Sequence, residues 1–104
     1  MTPQIKKASD SLKERLLDEE FREEWDRFEL ARAIALELVT YRADHNLSQT
    51  ALARQLKMQQ PAIARLESGD HNPSVETLMR IARGLGIDLH IDITPDHLGV
   101  KLTA

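Results

Sequence analysis

The spacing of hydrophobic residues predicts helices over the N-terminal half of the chain. Ser11 followed by Glu14 fits a capping box, and Asp18 marks a second helix start because acidic residues follow it. Hydrophobic residues then recur at helical spacing until Asn46 interrupts the pattern. The first part of this pattern is an aromatic stripe at steps of four and three, formed by Phe21, Trp25 and Phe28. Residues 1–30 are therefore predicted to form a helical arm.

Three shorter helices are predicted between Ser48 and Gly86. Ser48 and Ser74 are suitable N-cap residues, Pro61 fits the first turn of the middle helix, and Gly86 ends the last helix. The positions predicted to face the core in these helices are Leu52, Ala53, Leu56, Ile63, Leu66, Val75, Leu78, Ile81, Ala82 and Leu85. The sequence thus predicts a helical domain over residues 31–87.

The hydrophobic period changes from helical to alternating near residue 88. Leu89, Ile91 and Ile93 alternate with polar residues and Pro95 ends the run, which indicates a half-buried strand over residues 88–95. A lone strand cannot satisfy its own backbone, so the simplest partner is the same strand of a second copy, antiparallel across a two-fold axis. These three residues are then the dimer interface. The alternative is an extended tail lying on its own helices, and the tail over residues 96–104 carries no predictive pattern.

Composition narrows the class of protein. A chain of 104 residues fits one small domain with an appended element. The absence of cysteine excludes disulfides, iron–sulfur clusters and thiolate zinc sites, and it favours a reducing cytoplasmic location. The N-terminus lacks an apolar signal core, and no run approaches the roughly 18 apolar residues of a membrane span. Export and membrane insertion are therefore not expected.

The chain shows no pattern typical of catalysis. It lacks a Gly-rich phosphate loop, a nucleophile elbow and a His-Glu-x-x-His pair. Its histidines are scattered rather than spaced as metal ligands: His45, His71, His90 and His97. We therefore expect neither an enzyme nor a metal or cofactor site.

Charge is distributed unevenly along the chain. The overall net charge of −3 argues mildly against a nucleic-acid partner. Residues 8–30, however, contain nine acidic and four basic residues, whereas residues 42–83 contain six basic and four acidic residues. An acidic arm thus precedes a mildly basic module, which suggests two partners of opposite charge. The alternative is that the arm is only a solvated acidic helix.

Residues 49–68 form two short predicted helices separated by a tight turn at Lys57 and Met58. This is the arrangement of a helix-turn-helix, in which the second helix enters the major groove of DNA. Ala53 supplies the small side chain that a close helix crossing requires. The outer face of the second helix must be short or polar to approach base edges, and it carries Gln59, Gln60, Ala62, Arg65 and Ser68.

About half of the chain resembles the Cro/phage-repressor (XRE) helix-turn-helix family. The matching positions are Arg42, Leu47, Ser48, Gln49, Leu52, Ala53, Leu56, Ile63, Leu66, Glu67, Ser68, Gly69, Pro73, Ser74, Thr77, Leu78, Ile81, Ala82, Leu85 and Gly86. The resemblance implies an all-α domain of the five-helix Cro/repressor type, here with an N-terminal helical arm and a C-terminal dimerisation strand. It also implies a dimer that binds double-stranded operator DNA.

The resemblance further implies roles for individual residues. Gln60 matches a base-reading glutamine, and glutamine pairs bidentately with adenine. Arg65 is implied to reach guanine or a phosphate. The remaining implied DNA contacts, mostly to phosphates, involve Ser48, Gln49, Gln59, Ala62 and Asn72. Arg42 and Glu67 occupy the positions of a structural ion pair, and the alternative for Arg42 is a phosphate contact.

Two residues depart from the family pattern. Lys57 stands where the family often has a left-handed glycine, so either the turn costs about 1 kcal/mol or its geometry differs. Pro61 stands where phage repressors can carry a second base-reading glutamine. An operator sequence can therefore not be transferred from these relatives.

The arm resembles that of HigA-like antitoxins of type II toxin–antitoxin systems. The similar stretch runs from Glu20 to Trp25. The resemblance implies a repressor that also neutralises a basic, HigB/RelE-like ribonuclease toxin, with Phe21, Trp25 and Phe28 contacting the toxin. An acidic aromatic arm suits a basic RNA-binding groove. The alternatives are that these aromatic residues staple the arm onto its own domain, and that the protein is a plain repressor without a toxin partner.

Overall fold

The computed structural model describes residues 12, 14 and 18–104. Residues 18–104 form five helices and a two-stranded antiparallel sheet. The elements in chain order are α1 (Glu19–Arg27), α2 (Glu29–His45), α3 (Gln49–Leu56), α4 (Gln60–Ser68), α5 (Val75–Leu85), β1 (Asp88–Ile93) and β2 (Leu98–Thr103). The predicted cap at Ser11 lies outside the described residues. The predicted class, a helical domain with a helical arm and a C-terminal strand, is confirmed.

The helix ends follow local capping chemistry. Asp18 accepts hydrogen bonds from the N–H groups of Glu20 and Phe21 at the start of α1, at 2.9 and 3.2 Å. Ser48 and Ser74 cap α3 and α5 in the same way, through their hydroxyl oxygens. Four helices end on a residue with left-handed backbone geometry: Asn46, Lys57, Gly69 and Gly86. The predicted ends at Asp18, Ser48, Ser74 and Gly86 are thus confirmed.

The helical pattern that the sequence suggests across the arm is interrupted at Phe28. This residue has φ −105° and ψ 14°, so α1 ends at Arg27 and α2 begins at Glu29. Leu30, assigned to the arm by the sequence, is instead 8% exposed and belongs to the core. The last two residues of the predicted arm, Glu29 and Leu30, are therefore part of α2.

The core lies between α2 and the three shorter helices. Its buried members are Leu30, Ile34, Leu38, Leu52, Ala53, Leu56, Ile63, Leu66, Leu78 and Ile81. Val75, predicted to face inward, is 72% exposed. Periodicity places Val75 on the same face of α5 as Leu78, but it does not reveal how far the neighbouring elements extend along that helix. This inward assignment was wrong.

The strand predicted over residues 88–95 is present as β1, but its partner lies in the same chain. β2 pairs with β1 antiparallel, with Leu89 opposite Leu102, Ile91 opposite Val100 and Ile93 opposite Leu98. The prediction of a lone strand was wrong because the alternation of Leu98, Val100 and Leu102 was overlooked. The apolar face of this hairpin packs against the helical core. A second copy is therefore not needed to supply the first partner of β1.

Candidate nucleic-acid interface

The turn between α3 and α4 holds these helices at a close crossing. Ala53 is 3% exposed, and its C=O accepts from the N–H of Met58 at 2.8 Å. Lys57 adopts φ 58° and ψ 44°, so the left-handed geometry that the family fills with glycine is kept here by a lysine. The Lys57 C=O accepts from Arg80 of α5 at 2.8 Å. Arg80, which the sequence did not single out, thus ties the turn to the domain.

The outer face of α4 is available to a ligand. Ile63 and Leu66 face the core, whereas Gln59, Gln60 and Arg65 are exposed and Ala62 is half-buried. Gln59 is the N-cap residue and Gln60 the first helical residue. A groove beside this face runs between α4 and the loop that precedes α5. The helix therefore presents two amides and one guanidinium within two turns.

The glutamines at the start of α3 and α4 are joined to each other. Gln60 donates from Nε2 to Gln49 Oε1 at 2.9 Å, and Gln49 donates from Nε2 to Glu67 Oε1 at 3.0 Å. Gln60 keeps its carbonyl oxygen and one N–H for another partner, which is the donor and acceptor pair that an adenine edge requires. The chain of hydrogen bonds fixes the orientation of both amides, a relation that the sequence did not indicate.

Arg42 and Glu67 form the ion pair that the family resemblance implies. Arg42 Nε lies 2.7 Å from Glu67 Oε2, and Arg42 Nη2 lies 2.8 Å from Glu67 Oε1, so the pair is bidentate. Arg42 Nη1 also donates to the C=O of Leu47 at 3.2 Å. This pair clamps the end of α2 to the end of α4.

The charge of Glu67 is balanced inside the protein. Its side chain is 8% exposed, and that of Arg42 is 24% exposed. The hydrogen bond from Arg42 lowers the pKa of Glu67, burial opposes this shift, and the hydrogen bond from Gln49 adds to it. The same contact raises the pKa of Arg42. Glu67 therefore stays ionised and paired near the predicted DNA-facing surface instead of repelling phosphates.

Asn72, to which the resemblance assigns a phosphate contact, makes two hydrogen bonds within the chain. Its Nδ2 donates to the C=O of Arg27 at 2.6 Å, and its Oδ1 accepts from the N–H of Ala31 at 3.2 Å. These groups lie at the end of α1 and in the first turn of α2, where Phe28 provides no side-chain cap. The amide of Asn72 thus caps both helices at their junction. Sequence reasoning missed this because the residues are 41 and 45 positions apart.

The aromatic residues of the arm lie outside the core cluster. Phe21, Trp25 and Phe28 are half-buried, and α1 contains no buried residue. The rings of Phe21 and Trp25 are 6.2 Å apart between centroids. The guanidinium of Arg32 lies over the Trp25 ring at 3.8 Å and is paired with Glu29 at 2.9 Å. Arg32 of α2 therefore holds Trp25 in place while the ring stays partly accessible.

Among residues 12, 14 and 18–104, no group of three or more His, Cys, Asp or Glu side chains is placed to hold a metal ion. Within the same described residues, no helix is both long enough and apolar enough to cross a membrane. Neither observation adds a second candidate site to the face formed by α3 and α4.

Comparisons with known proteins agree with the geometry. Residues 38–91 match the helix-turn-helix family model HTH_3. The chain is 39% identical over 74 residues to an uncharacterized HTH-type transcriptional regulator of Haemophilus influenzae, covering 71% of each protein. It is 37% identical over 49 residues to an uncharacterized HTH-type transcriptional regulator of Methanocaldococcus jannaschii, covering 47% of this chain and 74% of the relative. No solved structure matches the chain.

Proposed function

Because the chain belongs to the XRE-type helix-turn-helix family of transcriptional regulators, we propose that it is a dimeric repressor that reads a palindromic operator through α4. The observation that carries the proposal is the hydrogen bond that fixes the exposed amide of Gln60, at the start of α4, against Gln49 at the start of α3. A dimer places one α4 in each of two major-groove segments about 34 Å apart, one turn of DNA. Regulation of its own operon is part of the proposal.

The described contacts support different roles for these residues at the operator, some contacting bases and others phosphates. Gln60 presents the amide for adenine, and Arg65 reaches guanine or a phosphate from the same exposed face. Gln49 and Gln59 lie at the starts of α3 and α4, where the positive end of a helix favours phosphate oxygens. These phosphate contacts position the protein, while Gln60 and Arg65 supply sequence preference.

The test of this proposal compares recognition-helix variants with a basic residue elsewhere. We expect Gln60→Ala and Arg65→Ala each to weaken operator binding by about 1–3 kcal/mol, or about fivefold to about 150-fold in Kd. The measurement is fluorescence anisotropy with DNA from upstream of the reading frame. Arg83→Ala is the matched control, because Arg83 is an exposed arginine in the last turn of α5 and is not part of the outer face of α4. If all three variants bind alike, α4 is not the reading helix.

The acidic arm supports a second activity, which is neutralisation of a basic ribonuclease toxin of the HigB/RelE-like class. Residues 8–30 hold nine acidic and four basic residues, and the aromatic groups of α1 are left outside the core. The guanidinium of Arg32 lies over the Trp25 ring, so this ring already makes a cation–π contact within the chain. Opposite charge and partly accessible aromatic groups favour contact with a basic RNA-binding surface. The plain repressor without a toxin partner is the second candidate, and membership of the family favours both equally.

The neighbouring reading frame separates the two candidates. A short basic chain encoded beside this one, toxic alone and harmless when both are expressed, supports the antitoxin. With such a pair in hand, Trp25→Ala is expected to weaken neutralisation while leaving operator affinity unchanged. Leu36→Ala serves as the control, because Leu36 is an exposed hydrophobic residue of α2 that is not part of the aromatic stripe. Equal neutralisation by both variants would remove the arm from the toxin interface.

A further inference from the structure

One edge of β1 is open in the described part of the chain. β1 pairs with β2, and no other described strand lies beside it. The Thr94 N–H donates to the His97 C=O at 2.8 Å, so these residues form a hydrogen-bonded pair that closes the hairpin. Hydrogen-bonded and non-hydrogen-bonded pairs alternate along an antiparallel ladder. Leu89, Ile91 and Ile93 therefore direct their backbone N–H and C=O groups away from β2, toward the open edge.

An apolar groove runs between α5 and β1. Its lining includes Val75, Leu78, Met79 and Ala82 of α5 together with Leu89 and Ile91 of β1. Val75 is 72% exposed and Met79 is 46% exposed. Ile93, at the end of β1, is 77% exposed. Exposed hydrophobic groups beside an unpaired strand edge are typical of a surface that receives another chain.

We propose that the occupant is β1 of a second copy of this chain, paired antiparallel along the open edge with Ile91 at the two-fold axis. The inference rests on the proposed dimeric repressor and gives that dimer its interface and register. The two hairpins then form one four-stranded sheet with the order β2, β1, β1, β2. Such a contact is isologous, so each pairing occurs twice.

Repulsion between carboxylates disfavours the two neighbouring registers. With Ile91 at the axis, His90 faces Asp92 of the second copy, once on each side. His90 and Asp92 would form non-hydrogen-bonded pairs in this ladder. In such pairs the side chains of directly opposite residues are closest, and their Cα atoms lie about 4.5 Å apart. With His90 at the axis, Asp88 faces Asp92 of the second copy, and with Asp92 at the axis two carboxylates face each other. Like charges directly opposite are destabilising.

The same register covers the exposed hydrophobic residues. Leu89 lines the groove next to α5, and Ile93 of the second copy lies opposite Leu89 on the same face of the sheet. Ile93 of the second copy therefore enters the groove toward Val75 and Met79. A register with Leu89 at the axis also places Asp88 opposite His90, but it leaves Ile93 beyond the paired segment and still exposed. Of the four registers compared, the one with Ile91 at the axis both pairs His90 with a carboxylate and buries Ile93.

A charge exchange on the full-length chain tests the register. We expect His90→Asp to raise the dimer dissociation constant about tenfold, because it places two carboxylates opposite one another twice. Asp92→His should raise it by a smaller factor, because it replaces each histidine–carboxylate pair with two imidazoles. The double variant His90→Asp, Asp92→His restores the opposite pair and should return to within about threefold of the original dimer. Sedimentation velocity over a concentration series measures the constant, and circular dichroism checks that each variant is folded. Two weakened single variants without recovery in the double variant would refute the register.

A second pair of variants tests the groove on α5. Val75→Glu should raise the dimer dissociation constant at least tenfold, since it places a charge where Ile93 of the second copy is buried. Leu36→Glu is the matched control, because Leu36 is 69% exposed and does not line the groove. Equal dimerisation by the two variants, or an original chain that stays monomeric at high micromolar concentration, would overturn the inference.

This outcome is separable from that of the proposed function, because the dimer is measured without DNA. A chain that is monomeric and still binds an operator half-site through Gln60 and Arg65 would refute the interface and keep the repressor. A dimer that shows the charge exchange but binds no DNA would support the interface and refute the repressor.

Discussion

Replacing Arg42 with methionine is expected to destabilise the domain, because it removes the positive charge that is paired with Glu67. Removing one partner of a fully buried ion pair costs about 3–5 kcal/mol. Here the Glu67 side chain is 8% exposed but that of Arg42 is 24% exposed, so solvent screens part of the loss. We therefore expect Arg42→Met to lower the free energy of unfolding by about 2–3 kcal/mol at pH 7. Methionine keeps much of the aliphatic contact of arginine, so the loss reports mainly on charge and hydrogen bonds.

The pH dependence distinguishes a lost charge pair from a lost contact. In the original chain Arg42 lowers the pKa of Glu67, so the pair stabilises the fold above the unfolded value of about 4.3 and loses this effect as the pH falls through the folded pKa. In Arg42→Met, burial raises the pKa of Glu67. Glu67 therefore becomes protonated as the pH falls, and the cost of burying its unpaired charge is removed. The deficit of the variant should therefore be largest near neutral pH and shrink in acid.

Urea unfolding of both proteins at about pH 7 and about pH 3.5 measures this difference. Arg32→Met is the control, because Arg32 lies on the same helix and its ion pair with Glu29 has the more exposed side chains, at 31% and 36%. A surface pair of this kind contributes at most about 1 kcal/mol. A deficit of Arg42→Met that is as small as that of Arg32→Met, or that is the same at both pH values, would refute the reasoning.

Two further substitutions give expected outcomes. Lys57→Gly should raise the free energy of unfolding by about 0.5–1 kcal/mol, because φ at this position is 58° and glycine adopts that geometry without strain. Scanning calorimetry measures this change, and a lower thermal midpoint than that of the original chain would contradict the prediction. Asn72→Ala should lower the free energy of unfolding by about 1–2 kcal/mol, because it removes two hydrogen bonds at the α1–α2 junction. Asn46→Gly is the control: Asn46 ends α2 with left-handed geometry, so glycine there should leave the stability unchanged or raise it in the same calorimetric measurement.

The parts of the fold that depend on local chemistry were readable from the sequence. Asp18, Ser48 and Ser74 act as caps because a short polar side chain can reach the free N–H groups of the next turn wherever it occurs. The strand at Leu89–Ile93 was readable because alternation is a property of neighbouring residues. Local patterns are thus sufficient for the existence and ends of these elements.

The relations between distant residues were not readable in the same way. Asn72 contacts Arg27 and Ala31 across more than 40 positions, and no periodicity links them. The Gln60–Gln49 hydrogen bond depends on the angle at which α3 and α4 cross. The Arg42–Glu67 pair was anticipated only through family resemblance. The second strand, in contrast, was readable, because the alternation of Leu98, Val100 and Leu102 is as long as that of Leu89, Ile91 and Ile93, and it was overlooked.

The absence of any buried residue in α1 has a consequence for hydrogen exchange. Helices that bury little apolar surface open at a smaller free energy than the core, so their amide protons exchange with solvent sooner. The amides of α1 should therefore exchange well before those around Ile34, Leu52 and Ile81, each of which is 0% exposed. A partner that binds the arm is expected to slow amide exchange selectively in α1. The exchange rates of the α1 amides therefore report whether a partner is bound, without labels or substitutions.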